Sequence, residues 1–521
     1  MINRRTMLAG TAASLALAAA PVAAKTDPVA TTTEGRLSGT REGGLSVFRG
    51  IRYGEDTAHT RFQAPVAAAP WSGTRAATGF GPVCPQRGDR YAPHSEDCLF
   101  LNVWTPDLHE KAKRPVMVYF HGGAYSTGSV TDPLNDGRHL AARGDVVVVT
   151  VNHRLNAFGY LYLAGLDARF ADSGNVGQLD LILALDWIKR NIAAFGGDAS
   201  RVMVFGQSGG GAKIATLMGM PAAKGLFHSA ATMSGQQVTA QGAMNGTART
   251  RSYMAALGLG DGDVDKLLTL PTGRLVEALS APDPILGKSV YFGPTLDMKW
   301  LVRHPFWPDA NPQSTAIPMI LGNTHDETRA FISPDGDKVR GLSWDNIAAR
   351  LGPELKIDLP PDWVVAQYRA QFPHYSPEEL FYAATTAGRS WPGQVIEADA
   401  RAAAGANATW VYQLDFPSPL EPRRGAFHTH DIPLVFGTLG AKGSLTGTGP
   451  EATAISGKIM DAFIALARRG NPNHAGMANW PAYDLPDRAT MVFDSHTRAV
   501  NDPRKWQREL FARAPYIQPG S

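Results

Sequence analysis

Four apolar residues, Val202-Met203-Val204-Phe205, run straight into Gly206-Gln207-Ser208-Gly209-Gly210-Gly211. A second apolar stretch, Ala212-Lys213-Ile214-Ala215-Thr216-Leu217-Met218, follows at once. The pattern predicts a buried strand, a sharp glycine turn and a helix, with a serine at the apex. A serine hydroxyl is a weak nucleophile unless it is exposed, aimed and supplied with a base. A G-x-S-x-G turn does the aiming, and the helix that begins after Ser208 points backbone N–H groups at developing negative charge.

The rest of the chain repeats the alternation that this unit starts. Apolar runs predict strands at 146–151, 202–205, 319–321, 410–414 and 491–493, and 179–192 reads as a helix apolar on most faces. Strands alternating with helices predict an α/β chain whose sheet is mostly parallel and covered by helices on both faces. Stretches 240–310 and 335–400 are rich in Pro, Gly and charge and are expected to build a helical lid and gorge wall. The three glycines of Leu257-Gly258-Leu259-Gly260-Asp261-Gly262 lack a preceding strand, so they are expected to end one helix and begin another at Asp263 rather than to bind a nucleotide.

A serine nucleophile needs an oxyanion site and two partners. Pro115-Val116-Met117-Val118-Tyr119-Phe120 reads as a strand that feeds His121-Gly122-Gly123-Ala124-Tyr125, whose small residues let backbone amides approach a carbonyl closely. Further on, Ile317-Pro318-Met319-Ile320-Leu321 precedes Gly322-Asn323-Thr324-His325-Asp326-Glu327, and Gly425-Ala426-Phe427-His428-Thr429-His430-Asp431 precedes Ile432-Pro433-Leu434-Val435-Phe436-Gly437. Each segment offers two candidates, Asp326 or Glu327 and His428 or His430, and spacing does not choose between them. His428-Thr429-His430-Asp431 with His325-Asp326-Glu327 also permits a metal-site reading, although no H-E-x-x-H or Cys/His cluster accompanies it.

These segments resemble the type-B carboxylesterases, the α/β-hydrolase branch that includes cholinesterases and bacterial para-nitrobenzyl esterases. The likeness extends to Phe48-Arg49-Gly50-Ile51-Arg52-Tyr53, Arg61-Phe62 with Pro65, Glu96-Asp97-Cys98-Leu99-Phe100-Leu101-Asn102-Val103, Asn191-Ile192 and Phe195-Gly196-Gly197-Asp198. It implies an α/β-hydrolase fold and a cofactor-free serine esterase that acts on small-molecule esters. Ser208 would be the nucleophile, Glu327 the acid and His428 the base. The amides of Gly123, Ala124 and Gly209 would form the oxyanion hole, with Ser234 supporting the acid. Retention of all three triad residues argues against a binding-only adhesion relative. The resemblance also implies a Cys84–Cys98 disulfide, which would close a loop of about 15 residues and contribute roughly 3 kcal/mol.

Three departures from the family pattern stand at the site. Gln207 replaces the usual Glu and removes a negative charge from beside the histidine. Gly209 stands where Ala is usual. Ala124 replaces the third glycine of H-G-G-G and is expected to narrow tolerance for bulky branched alcohol groups. The loop from Pro85 to His94 carries two arginines and no Trp, which disfavours choline esters. Tyr125 is expected near the site, and Arg329 has two open fates: meeting an anionic ester or pairing with a carboxylate.

The N-terminus poses a separate question. Arg4-Arg5, an apolar stretch to Ala20 and the small-residue site Val22-Ala23-Ala24 read as a cleaved signal peptide over residues 1–24, with twin-arginine export expected and Sec export the alternative. No cysteine lies near the cleavage point, so no lipid anchor is expected, and the protein is expected in the periplasm or medium. Residues 25–521 read as one catalytic domain, because the candidate triad spans more than two hundred positions and no cut leaves it whole. Net charge is +3, or +1 without the two leading arginines, which gives no reason to expect a nucleic-acid partner. The sequence sets no oligomeric state.

Overall fold

The computed structural model describes residues 27–518 and 520; the signal-peptide segment lies outside the described residues. Among the described residues fourteen strands follow in chain order. They are β1 (Val29–Thr31), β2 (Arg36–Ser38), β3 (Thr40–Glu42), β4 (Leu45–Arg52), β5 (Thr74–Ala76), β6 (Phe100–Thr105) and β7 (Arg114–Phe120). After these come β8 (Val147–Val151), β9 (Gly197–Gln207), β10 (Ser229–Met233), β11 (Met319–Thr324), β12 (Thr409–Leu414), β13 (Ala489–Phe493) and β14 (Arg498–Asn501). A small sheet has the order β1-β2-β5, and a large one runs β14-β13-β12-β11-β10-β9-β7-β8-β6-β4-β3.

From β8 to β13 the large sheet is parallel, and antiparallel strands finish both edges. Parallel strands buried on both faces read as continuous apolar runs. That is why 146–151 and 202–205 stood out in the sequence. Alternate residues still face opposite sides. Val116, Val118, Val202 and Val204 pack into one core with the helix Val176–Asn191, whereas Met117, Tyr119, Met203 and Phe205 pack into the other with the helix Pro450–Arg469. The helix expected at 179–192 begins three residues earlier and is buried on most faces.

The chain order reverses at β7, which has β8 on one side and β9 on the other. In open α/β sheets ligands bind outside the carboxyl ends of strands at such a reversal. The His121 loop leaves β7 there and Ser208 leaves β9 there, with Phe120 in register with Gly206. The segments carrying Glu327 and His428 follow β11 and β12, whose ends pair Thr324 with Leu414.

Stretch 335–400 folds mainly into helices, including Pro361–Gln371, Pro377–Thr385 and Pro392–Ala403, around a separate small core that includes Ile347, Tyr368 and Phe381. Within 240–310 the helix Ala243–Ala256 ends before Gly258 at φ 75°, and Asp263 Oδ2 accepts from Gly260 N at 2.9 Å ahead of the next helix, Val264–Thr269. The glycines there act as helix punctuation. No helix among the described residues is long and apolar enough to cross a membrane.

Candidate active site

Ser208 has φ 55° and ψ −123°, a conformation a side chain adopts only when its surroundings force it. The forcing is visible in the contacts. A Cβ on Gly210 would lie 1.9 Å from Phe120 O, so only glycine lets the strand end and the new helix touch. Ser208 N donates to Met233 O at 2.7 Å, which ties the elbow to β10. The serine is half-buried, and its hydroxyl makes no hydrogen bond among the described residues. The helix Gly209–Met218 starts at once.

The paired candidates differ in their surroundings. Glu327 is wholly buried, and its Oε2 meets His428 Nδ1 while Oε1 accepts from Asn323 Nδ2 at 2.9 Å and Thr324 N at 2.8 Å. Burial alone would raise this carboxyl. The charge and hydrogen bond of His428 and the Thr324 amide outweigh burial and hold it below its usual value. Ser234, in a left-handed turn at φ 51°, adds to this without the geometry of a full hydrogen bond. Asp326 faces away; its carboxylate takes the Ala426 amide at 3.0 Å, lies 3.3 Å from His325 and 3.5 Å from Arg329, and is held down at about 2 against the upward push of burial. His430 sits among Phe416 and Phe427, its ring nitrogens unpartnered, and burial lowers it to about 4. Thus His428 and Glu327 pair, whereas His430 and Asp326 do not join them. Among the described residues no three His, Cys, Asp or Glu side chains converge to hold a metal ion.

The other face of His428 holds a feature the sequence did not show. Its Nε2 lies 3.2 Å from Gln207 Nε2. An amide N–H only donates, so this contact puts the imidazole proton on Nδ1, toward Glu327, and leaves Nε2 as acceptor. The Gln207 amide therefore occupies the lone pair that a serine hydroxyl needs.

The amides of Gly123, Ala124 and Gly209 donate to no protein acceptor among the described residues. Ala124 is held at φ 52°, a region glycine enters freely and alanine does not. A Cβ on Gly209 would lie 2.1 Å from Ala124 O. The two departures, Ala124 and Gly209, are thus in direct contact, and the second makes room for the backbone of the first.

Behind this loop lies Lys213, which the sequence reading passed over as one residue of a helix. It is fully buried, and its Nζ donates to Ala124 O at 2.8 Å and His121 O at 3.2 Å, 5.4 Å from the centre of the Tyr125 ring. Burial lowers the ammonium to about 7. His121 and His153, in edge contact 4.7 Å apart, are pushed far below neutral by burial and then by Lys213. The one signal in the sequence was a lysine inside a helix otherwise apolar or small all round.

One expectation is corrected, and Arg329 takes one of its two open fates. The structure holds Cys84 and Cys98 as two buried free thiols, not as the disulfide implied by the resemblance. Cys84 is engaged as a thiol, accepting from Leu155 N at 3.2 Å, and the Cys98 thiol is pushed up by its hydrogen bond to Cys84 and by burial. Of the two fates open to it, Arg329 takes the carboxylate one: it lies over Tyr382 with Asp326 and Glu378 at 3.5 and 3.8 Å. Tyr125 is near the site as expected, its hydroxyl donating to Gln237 Oε1 at 2.8 Å.

Two cavities flank the elbow. One of about 180 Å³ is lined by Ser208, His428, Ala124 and Gly209. The other, about 400 Å³, is lined by Gly122, Gly123, Gln207 and the loop residues Arg87, Arg90 and Tyr91, with Arg90 paired to Asp132 at 2.8 Å.

A parallel sheet that offers a serine on a left-handed elbow, next to a His–Glu pair from later strands, places the molecule among the α/β hydrolases. The chain belongs to the carboxylesterase family, whose model matches residues 26–511. It is 35% identical to the para-nitrobenzyl esterase of Bacillus subtilis (strain 168) over 93% of this chain and 98% of that one. It is 34% identical to the phenmedipham hydrolase of Pseudarthrobacter oxydans over 90% and 95%. The solved carboxylesterase of Geobacillus stearothermophilus superposes with a TM-score of 0.83 at 34% identity, covering 93% of this chain and 99% of that one. The protein is a carboxylic-ester hydrolase of the type-B carboxylesterase family.

Proposed function

We propose that ester hydrolysis here runs through Ser208, His428 and Glu327 as a nucleophile–base–acid triad. The observation that carries this reading is the Glu327–His428 pair on strand ends beside a strained, accessible Ser208. His428 Nε2 takes the Ser208 proton as Oγ attacks the ester carbonyl, and buried Glu327 steadies the imidazolium that forms. The undonated amides of Gly123, Ala124 and Gly209 receive the oxyanion. His428 then hands the proton to the departing alcohol. Water repeats the sequence on the acyl-enzyme and frees the acid.

Gln207 sets an extra step. For Ser208 Oγ to reach His428 Nε2, the Gln207 amide must swing off it, so substrate binding and triad assembly are coupled. The larger cavity beside Gln207 accommodates a sizeable group. Its two arginines support esters other than those of choline.

The reading extends to export. The paired arginines, the apolar stretch and the Ala-rich site of residues 4–24 support delivery across the inner membrane, with the mature enzyme beginning near residue 25. N-terminal sequencing of the secreted or periplasmic fraction tests it; an intact Met1 terminus in the cytosol is the contrary result.

Labelling with a fluorophosphonate, followed by peptide mass mapping, tests the nucleophile. An adduct on Ser208 that competes with para-nitrophenyl butyrate is expected. An adduct elsewhere, with Ser208 unmodified and turnover abolished, overturns the assignment.

A further inference from the structure

The cavity of about 180 Å³ that holds Ser208 and His428 is also lined by Arg389. This arginine sits on a five-residue π-helical turn, Thr386–Ser390, between the helices Pro377–Thr385 and Pro392–Ala403. Such widened turns cluster at functional sites, because they push one residue out of the regular ladder. The guanidinium lies 5.3 Å from the centre of the Phe331 ring, and that ring lies 4.7 Å from His428. One aromatic ring therefore separates the cation from the candidate base.

Among the described residues this guanidinium makes one hydrogen bond, Nη1 to Glu354 Oε2 at 2.8 Å. An arginine carries five N–H donors in a planar fork that suits a carboxylate. Glu354 cannot neutralise it alone, since Lys338 binds the other oxygen of the same carboxylate. Lys288 and Lys356 add to the same field: Lys356 is lowered by burial and then by repulsion from Arg389 and Lys288. Arg389, Lys338, Lys288 and Lys356 thus all act on the Glu354 carboxylate. Glu397, near the same corner, is fully buried and raised to about 8 by that burial, against the pull of the Gln237 amide and Arg401. Amide side chains of Gln236 and Gln237 line the cavity as well, beside the aromatic side chains of Tyr125, Tyr291, Phe331 and Tyr516.

We infer that Arg389 makes this cavity a subsite for a carboxylate, so that the enzyme prefers esters bearing a second, ionised carboxyl over neutral esters of equal length. This rests on Ser208 being the nucleophile. The preference replaces the role that Arg329 does not fill.

The test compares kcat/KM for mono-para-nitrophenyl adipate with para-nitrophenyl hexanoate, and for 4-carboxyphenyl hexanoate with phenyl hexanoate, so that a carboxylate on either half of the ester is covered. In the wild type at least one anionic-to-neutral ratio is expected to exceed one at 50 mM salt and to shrink at 500 mM. Arg389→Gln is expected to lower that ratio about tenfold or more, the effect of losing a charge-assisted hydrogen bond, and Arg389→Lys to restore part of it. Should Arg389→Gln fail to fold, inhibition of the wild type decides: adipate is expected to compete more strongly than neutral adipamide at low salt. Ratios below one in the wild type, or unchanged in Arg389→Gln, overturn the subsite. Those outcomes leave the nucleophile assignment standing if hexanoate turnover is still lost in Ser208→Ala; hexanoate turnover that survives in Ser208→Ala overturns both.

Discussion

Replacing Lys213 with methionine separates stability from catalysis. The lysine is buried without a carboxylate partner among the described residues: its neighbours are two carbonyls, the Tyr125 ring and the neutral imidazoles of His121 and His153. Its folded value, about 7, lies below the 10.5 of a free lysine. At pH below 7 both states are protonated and the buried charge costs about 5 kcal/mol, at about 1.4 kcal/mol per unit. That cost is already net of the two hydrogen bonds to carbonyls, since the folded value reflects every contact the ammonium makes. Lys213→Met removes that cost, so thermal or denaturant unfolding at pH 5.5 should show the variant more stable by up to about 5 kcal/mol. Between pH 7 and 10.5 only the unfolded state holds the proton, so the lysine makes stability rise with pH there, and the variant should lose that slope.

Catalysis should respond differently. The lysine fixes Ala124 O, and the amide of the same residue is a candidate oxyanion donor. Complete loss of one donor costs about 3–4 kcal/mol, which bounds the effect, so kcat should fall roughly 10- to 100-fold. Para-nitrophenyl hexanoate turnover from pH 5.5 to 9.5 gives the readout. In the wild type kcat is expected to decline on the alkaline side as Lys213 loses its proton, and the variant should lack that limb. A kcat within twofold of wild type with the alkaline limb unchanged would falsify the clamp.

Other perturbations follow from the same geometry. Gln207→Glu should free His428 Nε2 and supply a negative charge beside the imidazolium, moving the acidic limb of kcat/KM upward by about one pH unit; an unmoved limb shows that Gln207 does not touch the base in solution. Gly209→Ala places a methyl group 2.1 Å from Ala124 O, so kcat/KM is expected to drop tenfold or more. Ala124→Gly should rescue it in part by relaxing the loop, and strictly additive effects in the double mutant argue against contact. Glu327→Gln keeps the shape of the acid but not its charge, and kcat should fall about 10⁴-fold with little change in KM.

The central fold was legible because its parallel strands are buried on both faces and so stand out as unbroken runs. The elbow was legible because strand, glycines and helix adjoin in sequence. The edge strands were not, since β3 and β14 are short and have no fully buried residue. Local spacing could not separate His428 from His430 or Glu327 from Asp326; the choice depends on which side chains β11 and β12 turn toward each other. Arg389 escaped notice because it lies in a lid segment without motif, far from the residues it joins. Arg329 could not be placed from sequence, because being two residues from Glu327 does not say which carboxylates its guanidinium faces. Lys213 was readable in principle, as the one charge in a buried helix.

The most direct test of the triad is the turnover of para-nitrophenyl butyrate by purified wild type and Ser208→Ala, with active sites counted by fluorophosphonate titration. Wild type should label once per chain and turn over, whereas Ser208→Ala should neither label nor retain more than about 10⁻⁴ of kcat. Turnover by Ser208→Ala at more than a tenth of the wild-type rate would contradict the mechanism at its first step.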